Sequence, residues 1–487
     1  MGNLILVLTL SLTYFIPNFA GIIGLTIWIL GLFIPLSILT EINQLLYQEQ
    51  YTKARKLSKY LKYLHPFDSC LELSQILIAL EIAHQGDIVK ASQIIENYQN
   101  RSNSLYYHAK ILLFWFQGDW ENCLNYFQKE IKIKNIDQDS NLLIYYLRVL
   151  GENGKIEELL NQFTIAEPIL AKTGDKNKIN LAKMLIFAFS GEKELLEKLF
   201  NYSLNFYSKN TQRFWLITAQ FYRGEKTEAI AKFNDLKEIS NLVLINNINW
   251  RLSQNLNQDH NNQLSQKLIT KLKKTLQDEI DYQNFTKINL KKAYLTQGLI
   301  IINFLLFFLE IQIGGSTNLE VLEKLGALIP EYIWEGEYWR LITANFLHYG
   351  WLHLSMNMFA LWIVGTFVET IIGRFFYGLI YFLSGIGAMI IFTFISPYII
   401  SPNMPILLVG ASGAIMGLVG VILAIFIKFT YQKKSAIFAQ KLRFLLFIIL
   451  LQFIFDFFTP QVSFAIHSLG FILGLITGLF VPIKSEN

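Results

Sequence analysis

Ser412 lies in the string Gly410-Ala411-Ser412-Gly413, and His467 lies 55 residues further on in Phe464-Ala465-Ile466-His467-Ser468-Leu469-Gly470. Each is inside an apolar stretch long enough to cross a bilayer, where a hydroxyl and an imidazole are expensive to hold. Nucleophilic chemistry within the membrane is the first hypothesis for such a pair. A third apolar stretch opens Trp351-Leu352-His353-Leu354-Ser355-Met356-Asn357. His353 and Asn357 are four residues apart, so on a helix they share a face and reach one cavity. Taken alone, they could simply pair helices through polar side chains. Alongside Ser412 and His467 they complete a list: a nucleophilic oxygen, a base and donors for a developing oxyanion.

Ser412 follows the long uncharged connection from Pro397 to Gly410 and starts an apolar segment. The first turn of a helix there would direct its hydroxyl into a wet cavity and add free backbone N–H groups that favour negative charge. His467 is the expected base. No carboxylate adjoins it in sequence, so the simplest active unit is a Ser–His dyad. Asp456 and Glu369 are intramembrane carboxylates: Glu369 is expected to tie down the loop containing Arg374, and Asp456 to mark proximity to water. Glycines explain how two helices carrying Ser412 and His467 could meet. Gly413, Gly417 and Gly420 mark one, and Gly470, Gly474 and Gly478 recur every fourth residue on the other, letting the backbones approach closely. The nucleophile elbow of a soluble hydrolase does not fit, because Ala414 stands where its final glycine belongs and no buried strand precedes Ser412.

These residues must be positioned by membrane-spanning helices. The last 195 residues carry six apolar segments, near 293–311, 350–370, 375–397, 411–429, 442–458 and 463–482. Lys291, Lys292, Arg374, Lys428, Lys433, Lys434, Lys441 and Arg443 flank them on one side if six helices alternate direction. The 314–338 connection carries Glu320, Glu323, Glu331, Glu335 and Glu337 against Lys324. By the positive-inside rule both ends of this unit, and the region before it, face the cytoplasm. Residues 3–39 read as two further apolar runs, Leu4 to Ile16 and Ile22 to Ile38, broken by Pro17-Asn18. A helical hairpin and a re-entrant segment followed by one span both fit them. Met1 to Pro17 has neither leading basic residues nor a small-residue cleavage site, against a cleaved signal.

Between Glu41 and about Lys291 the sequence is polar and helix-rich. Gly86, Gly118, Gly154, Gly191 and Gly224 recur at intervals of 32, 36, 37 and 33 residues. Five residues after each comes Ala91, Cys123, Leu159, Leu196 or Ala229, and nine after comes Ile95, Phe127, Phe163, Phe200 or Phe233. That register places a glycine in the turn of a helical hairpin and both following positions on one face of its second helix. Stacked hairpins are implied, five or six with an imperfect one around Glu49 to Ser58, spaced like tetratricopeptide repeats. The recurring aromatics are expected between repeats, and a concave surface could hold a peptide or partner protein. His65, His84, His108 and His260 are too isolated to form a site.

At 487 residues and 53% hydrophobic content the chain exceeds one soluble domain. A net charge of +5, scattered through helical patterns, argues against nucleic-acid binding. Cys70 and Cys123 lack metal-ligand or disulfide spacing and read as reduced core thiols. No metal or cofactor is implied. The expected organisation is all-α: a membrane segment or hairpin over 1–40, a cytoplasmic repeat domain over 41–290, and a six-transmembrane bundle over 291–487.

Across about 293–482 the sequence resembles the rhomboid family of intramembrane serine proteases. The matching residues are Glu337-Tyr338-Trp339-Arg340, His348 ahead of His353 to Asn357, Glu369, the Gly373-Arg374 turn, Tyr381 with Ser384-Gly385, Gly410 to Gly413, and His467 with Gly470 and Gly474. The resemblance implies Ser412 as nucleophile, His467 as general base, and His353, Asn357 and the Ser412 N–H around the oxyanion. It implies Trp339 and Arg340 in a loop packed against the bilayer, lateral substrate access between the second and fifth helices, no cofactor, and cleavage of transmembrane protein substrates in a multi-pass bacterial plasma-membrane setting. Ile466 departs from the family pattern, which has a small residue before the base, and Ser468 follows the base. Rival readings are a client-binding protein of the same fold without proteolysis and an assembly platform in which the membrane unit only anchors the repeats.

Overall fold

The computed structural model describes residues 24, 26–27, 29–64, 70–97, 104–131, 139–173, 175–254, 263–287, 293–399, 406–458 and 464–482. The run from Leu4 to Ile16, the Pro17-Asn18 break, His65, His260, Lys291 and Lys292 lie outside them. The chain folds as two units, Met1–Lys274 and Thr275–Asn487, with the division inside the Gln263–Thr286 helix. The described residues are all-α apart from one isolated β-bridge.

In the first unit five glycines separate consecutive helices. Gly86 stands between Cys70–His84 and Ile88–Glu96, Gly118 between Ser104–Gln117 and Trp120–Glu130, and Gly154 between Ser140–Glu152 and Ile156–Lys172. Gly191 and Gly224 do the same for Lys176–Phe189 with Lys193–Tyr202 and for Lys209–Tyr222 with Lys226–Glu238. Each adopts a positive φ, from 69° at Gly118 to 102° at Gly86, a conformation glycine reaches without the Cβ penalty. The next residue restarts the chain: Asp87 and Asp119 cap their helices by accepting from the N–H groups of Lys90 and Asn122. Positions five and nine residues after each glycine are buried throughout, Ala91 to Phe233, and form the apolar seam of each second helix. Cys123 is a free, buried thiol; the side chain of Cys70 lies outside the described set.

Six helices among the described residues are long and apolar enough to cross a membrane: Ile29–Tyr47, Tyr294–Ile313, Gly350–Ile372, Arg374–Tyr398, Ser412–Gln432 and Ile437–Phe458. Phe464–Phe480 is apolar but shorter, at 17 residues. This is a multi-pass membrane protein. In the second unit the most buried of these helices, Ser412–Lys433, stands at the centre, packed by Arg374–Ile399, Ala436–Phe458 and Phe464–Phe480. Glycines allow the closest of these approaches. A Cβ at Gly470 would collide with the carbonyl oxygen of Gly413, and one at Gly474 with that of Gly417. At Gly478 it would lie 2.9 Å from Ala424 Cβ. Phe285, at the end of the Gln263–Thr286 helix, packs on Phe367, Phe426, Phe429 and Phe438, which explains why that end belongs to the second unit.

Candidate active site

The chain reaches Ser412 through a backbone fixed from outside its own helix. Leu328 and Leu408 exchange N–H···O bonds of 2.9 and 3.0 Å, and Gly410 N–H donates to the Ala344 carbonyl at 2.8 Å. The partners in both ties belong to the segment after Tyr294–Ile313, and Arg340 holds that segment together. Its guanidinium is buried, donates to the Glu323 and Ala327 carbonyls at 2.6 and 3.1 Å and to Glu337 at 2.5 Å, and stacks on Tyr332 and Trp339. Trp339 closes over Gly326, where its ring occupies the place of a Cβ.

Gly410 has φ of 123°, turning the chain into the helix whose first residue is Ser412. Above this turn stand His353 and Asn357, four apart on one helix face. A Cβ on Gly410 would lie 2.9 Å from His353 Nε2 and 3.6 Å from Asn357 Nδ2. Asn357 Nδ2 is buried without a hydrogen-bond partner among the described residues, a donor whose burial goes uncompensated. His353 Nδ1 accepts a long bond from the Tyr349 N–H at 3.4 Å, a tautomer that leaves the proton on Nε2, the nitrogen facing Gly410.

The helix bearing His467 packs against the start of the Ser412 helix. Ile466, next to His467, places Cγ2 where a Cβ on Gly413 would be only 2.8 Å away, so the bulky Ile466 is accommodated because Gly413 has no side chain. Ser412 and His467 each adjoin one member of this contact. No hydrogen bond joins their side chains among the described residues. The other face of the imidazole is occupied: His467 Nδ1 donates to Asp456 Oδ2 at 2.7 Å, and Asp456 Oδ1 accepts from Gln452 Nε2 at 2.8 Å. Asp456 and His467 are both buried. Sequence reasoning missed this partnership because the two lie on different helices, 11 residues apart. The signal available was the one acidic residue of the helix Ala436–Phe458, set in its apolar second half.

Glu369 does a different job from the one its proximity to Arg374 suggested. Its carboxylate accepts from the N–H groups of Leu295 and Thr296 and from the Thr296 hydroxyl at 2.8–3.0 Å, capping the exposed donors at the start of Tyr294–Ile313. Arg374 instead stacks over the Tyr294 ring, 5.2 Å from its centroid. Two helices are thus pinned together on the side away from the Gly410 turn. His348, which the family pattern picked out, is wholly buried, with its N–H on Glu310 and its ring 5.2 Å from that of His353. Burial first, then His353, pushes it down to about 3, so it stands as a neutral wall behind His353.

Residues 335–483 match the family model described as the rhomboid domain. The chain is similar to Rhomboid protease GluP of Bacillus subtilis (strain 168), 43% identical over 132 residues that make up 27% of this chain and 24% of that protein. It is 33% identical to RHOMBOID-like protein 5 of Arabidopsis thaliana over 173 residues, 35% of this chain and 53% of that one. Rhomboid protease AarA of Providencia stuartii is 28% identical over 169 residues, 33% of this chain and 60% of its own. The chain therefore spans from about a quarter to 60% of the length of these relatives. No solved structure matches it. The buried Asp456–His467 pair, the Gly410 turn beneath His353 and Asn357, and the glycine-lined helix pair all fall within residues 335–483, the segment that matches the rhomboid-domain model.

Proposed function

We propose that residues 291–487 form a six-transmembrane intramembrane serine endopeptidase, with Phe464–Phe480 as the sixth span, cleaving peptide bonds in or near transmembrane segments of membrane proteins. The observation that carries this reading is the convergence at one turn of an unpartnered buried donor, Asn357 Nδ2, the His353 ring, and the helix bearing His467. Because Nδ1 of His467 donates to Asp456, its Nε2 carries the lone pair and is the atom able to take a proton. Ser412 Oγ attacks the scissile carbonyl carbon while His467 Nε2 accepts the hydroxyl proton. Asn357 Nδ2, His353 Nε2 and the Ser412 N–H receive the oxyanion. The imidazolium returns the proton to the leaving amine, and water, deprotonated by the same nitrogen, opens the acyl-enzyme. Asp456 orients the imidazole and balances its charge, extending the dyad by a positioning carboxylate. The cycle calls for no metal or cofactor.

Substrates would enter laterally past Ala436–Phe458, whose Phe444, Phe447, Phe455, Phe457 and Phe458 are exposed. Gly417, Gly470 and Gly474 keep the two catalytic helices in contact, and Trp339 and Arg340 brace the loop that fixes the turn. Residues 41–290 are read as a tetratricopeptide-like array on the cytoplasmic side of a bacterial plasma membrane, handling substrate or a partner protein, and residues 1–40 as its membrane attachment. Relatives named as proteases support the enzymatic part of the reading. The test is cleavage of a single-span reporter by the purified, reconstituted chain. S412A and H467A are each expected to abolish it with folding and insertion intact, and cleavage retained in both would overturn the assignment.

A further inference from the structure

A cavity of about 710 Å³ in the first unit is lined mainly by aliphatic and aromatic side chains and has one guanidinium, Arg148, in its wall. That volume suits a ligand of small-molecule size. Arg148 lies among three indoles, 4.7–5.0 Å from the ring centroids of Trp115, Trp120 and Trp215. Its Nε donates to Glu152 at 3.5 Å and its Nη2 to Asn247 at 3.4 Å, both long, and its Nη1 has no acceptor among the described residues.

Glu152 cannot neutralise it alone. The same carboxylate, fully buried, pairs with the fully buried Arg251, which lies over the Phe189, Phe214 and Tyr222 rings and whose Nε and Nη1 have no hydrogen-bond partner among the described residues. Two guanidiniums therefore share one carboxylate in a low-dielectric interior, a buried positive excess that an anion would relieve. The other carboxylate lining the cavity, Glu49, pairs with neither guanidinium: it accepts from Thr211 and Asn241 at 2.7 Å and lies 3.8 Å from His84.

The shape and chemistry of the remainder decide which anion. Pro35, Leu36 and Leu39 on the wall belong to Ile29–Tyr47, one of the helices long and apolar enough to cross a membrane. From Leu36 to Tyr47 that wall runs about 16 Å at ~1.5 Å per residue, close to the depth of one leaflet of a ~30 Å hydrocarbon core. An extended peptide would need a partner for each backbone N–H and C=O, yet two of the four lining asparagines, Asn241 and Asn247, are already engaged. Asn247 bonds the Trp115 and Val243 carbonyls and the Trp120 indole, and Asn241 bonds Glu49 and the Leu244 N–H.

We propose that this cavity binds a long-chain fatty acid taken from the bilayer, its carboxylate on Arg148 and its single tail along the aliphatic wall towards Leu36.

The test uses the full chain in lipid nanodiscs, titrated with a 16-carbon acid brominated on its tail and read by quenching of tryptophan fluorescence. Saturable quenching is expected, displaced by unbrominated acids with affinity rising on the order of tenfold per two added carbons. The 16-carbon alcohol should compete at least tenfold more weakly than the acid. Arg148→Gln should erase that preference, and Leu112→Phe with Met184→Phe, which fill the cavity and leave the charge in place, should abolish saturable quenching. S412A should bind as the wild type does, which separates this site from the proposed catalysis. Unsaturable quenching, equal competition by acid and alcohol, indifference to tail length, or displacement by a carboxylate-ended apolar peptide in preference to the acid would each overturn the proposal.

Discussion

Adding one methyl group at Gly474 tests whether close helix approach is what makes the candidate site. The new Cβ would land inside the van der Waals shell of the Gly417 carbonyl oxygen, with the Gly417 Cα also in conflict. Both obstacles are backbone, so no rotamer change relieves them. An ordinary C···O contact is ~3.3–3.6 Å, which requires the Ser412–Lys433 and Phe464–Phe480 helices to part by on the order of 1 Å. Overpacking of that kind costs about 1–3 kcal/mol, offset in part by the ~0.5–1 kcal/mol that alanine gains over glycine within a helix. The kinetic effect should be larger, because a ~1 Å misplacement of reacting groups costs roughly 10²-fold in rate. G298A supplies the control: a Cβ there meets nothing within 4 Å. Initial rates of reporter cleavage in proteoliposomes, alongside thermal unfolding of the purified chains, give both readouts. G474A should lose about 10²-fold in kcat with a lowered melting temperature, and G298A should lose neither. Wild-type rate and stability in G474A, or an equal loss in G298A, would refute the argument that backbone contact aligns Ser412 with His467.

Asp456→Asn should lower kcat by on the order of 10²–10⁴-fold while leaving KM within about threefold, since the amide no longer fixes the imidazole tautomer; a KM effect alone would reduce Asp456 to packing. Asn357→Ala should slow turnover by about 10²-fold, the ~3 kcal/mol expected of one oxyanion donor, again read as kcat in the reporter assay. For His348, the folded group is depressed to about 3 while the unfolded one titrates near ~6.5. Between those values the unfolded state binds more protons at this group, so the His348 contribution to stability should fall as pH drops from about 6.5 towards 3, with a slope of up to about 1.4 kcal/mol per pH unit. Melting curves of wild type and His348→Gln at pH 7 and 4.5 check this, and the variant should show the shallower dependence.

Local chemistry was written plainly along the chain. Apolar runs of spanning length need no tertiary information, because a bilayer-crossing helix satisfies its own backbone. The five glycines at positive φ and the buried residues five and nine positions later follow from helical periodicity and from glycine's access to left-handed conformations. His353 and Asn357 share a face by spacing alone. Everything that depends on which helix stands beside which came only with the tertiary structure. Asp456 reaches His467 from another helix, Glu369 caps the start of Tyr294–Ile313 instead of holding Arg374, and Ile466 fits because Gly413 faces it. The cavity around Arg148 draws its walls from residues as distant as Leu36 and Asn247. Such pairings depend on the order and rotation in which helices pack, and packing is a property of complementary surfaces distributed across the chain, whereas a sequence window carries only the period of one surface at a time.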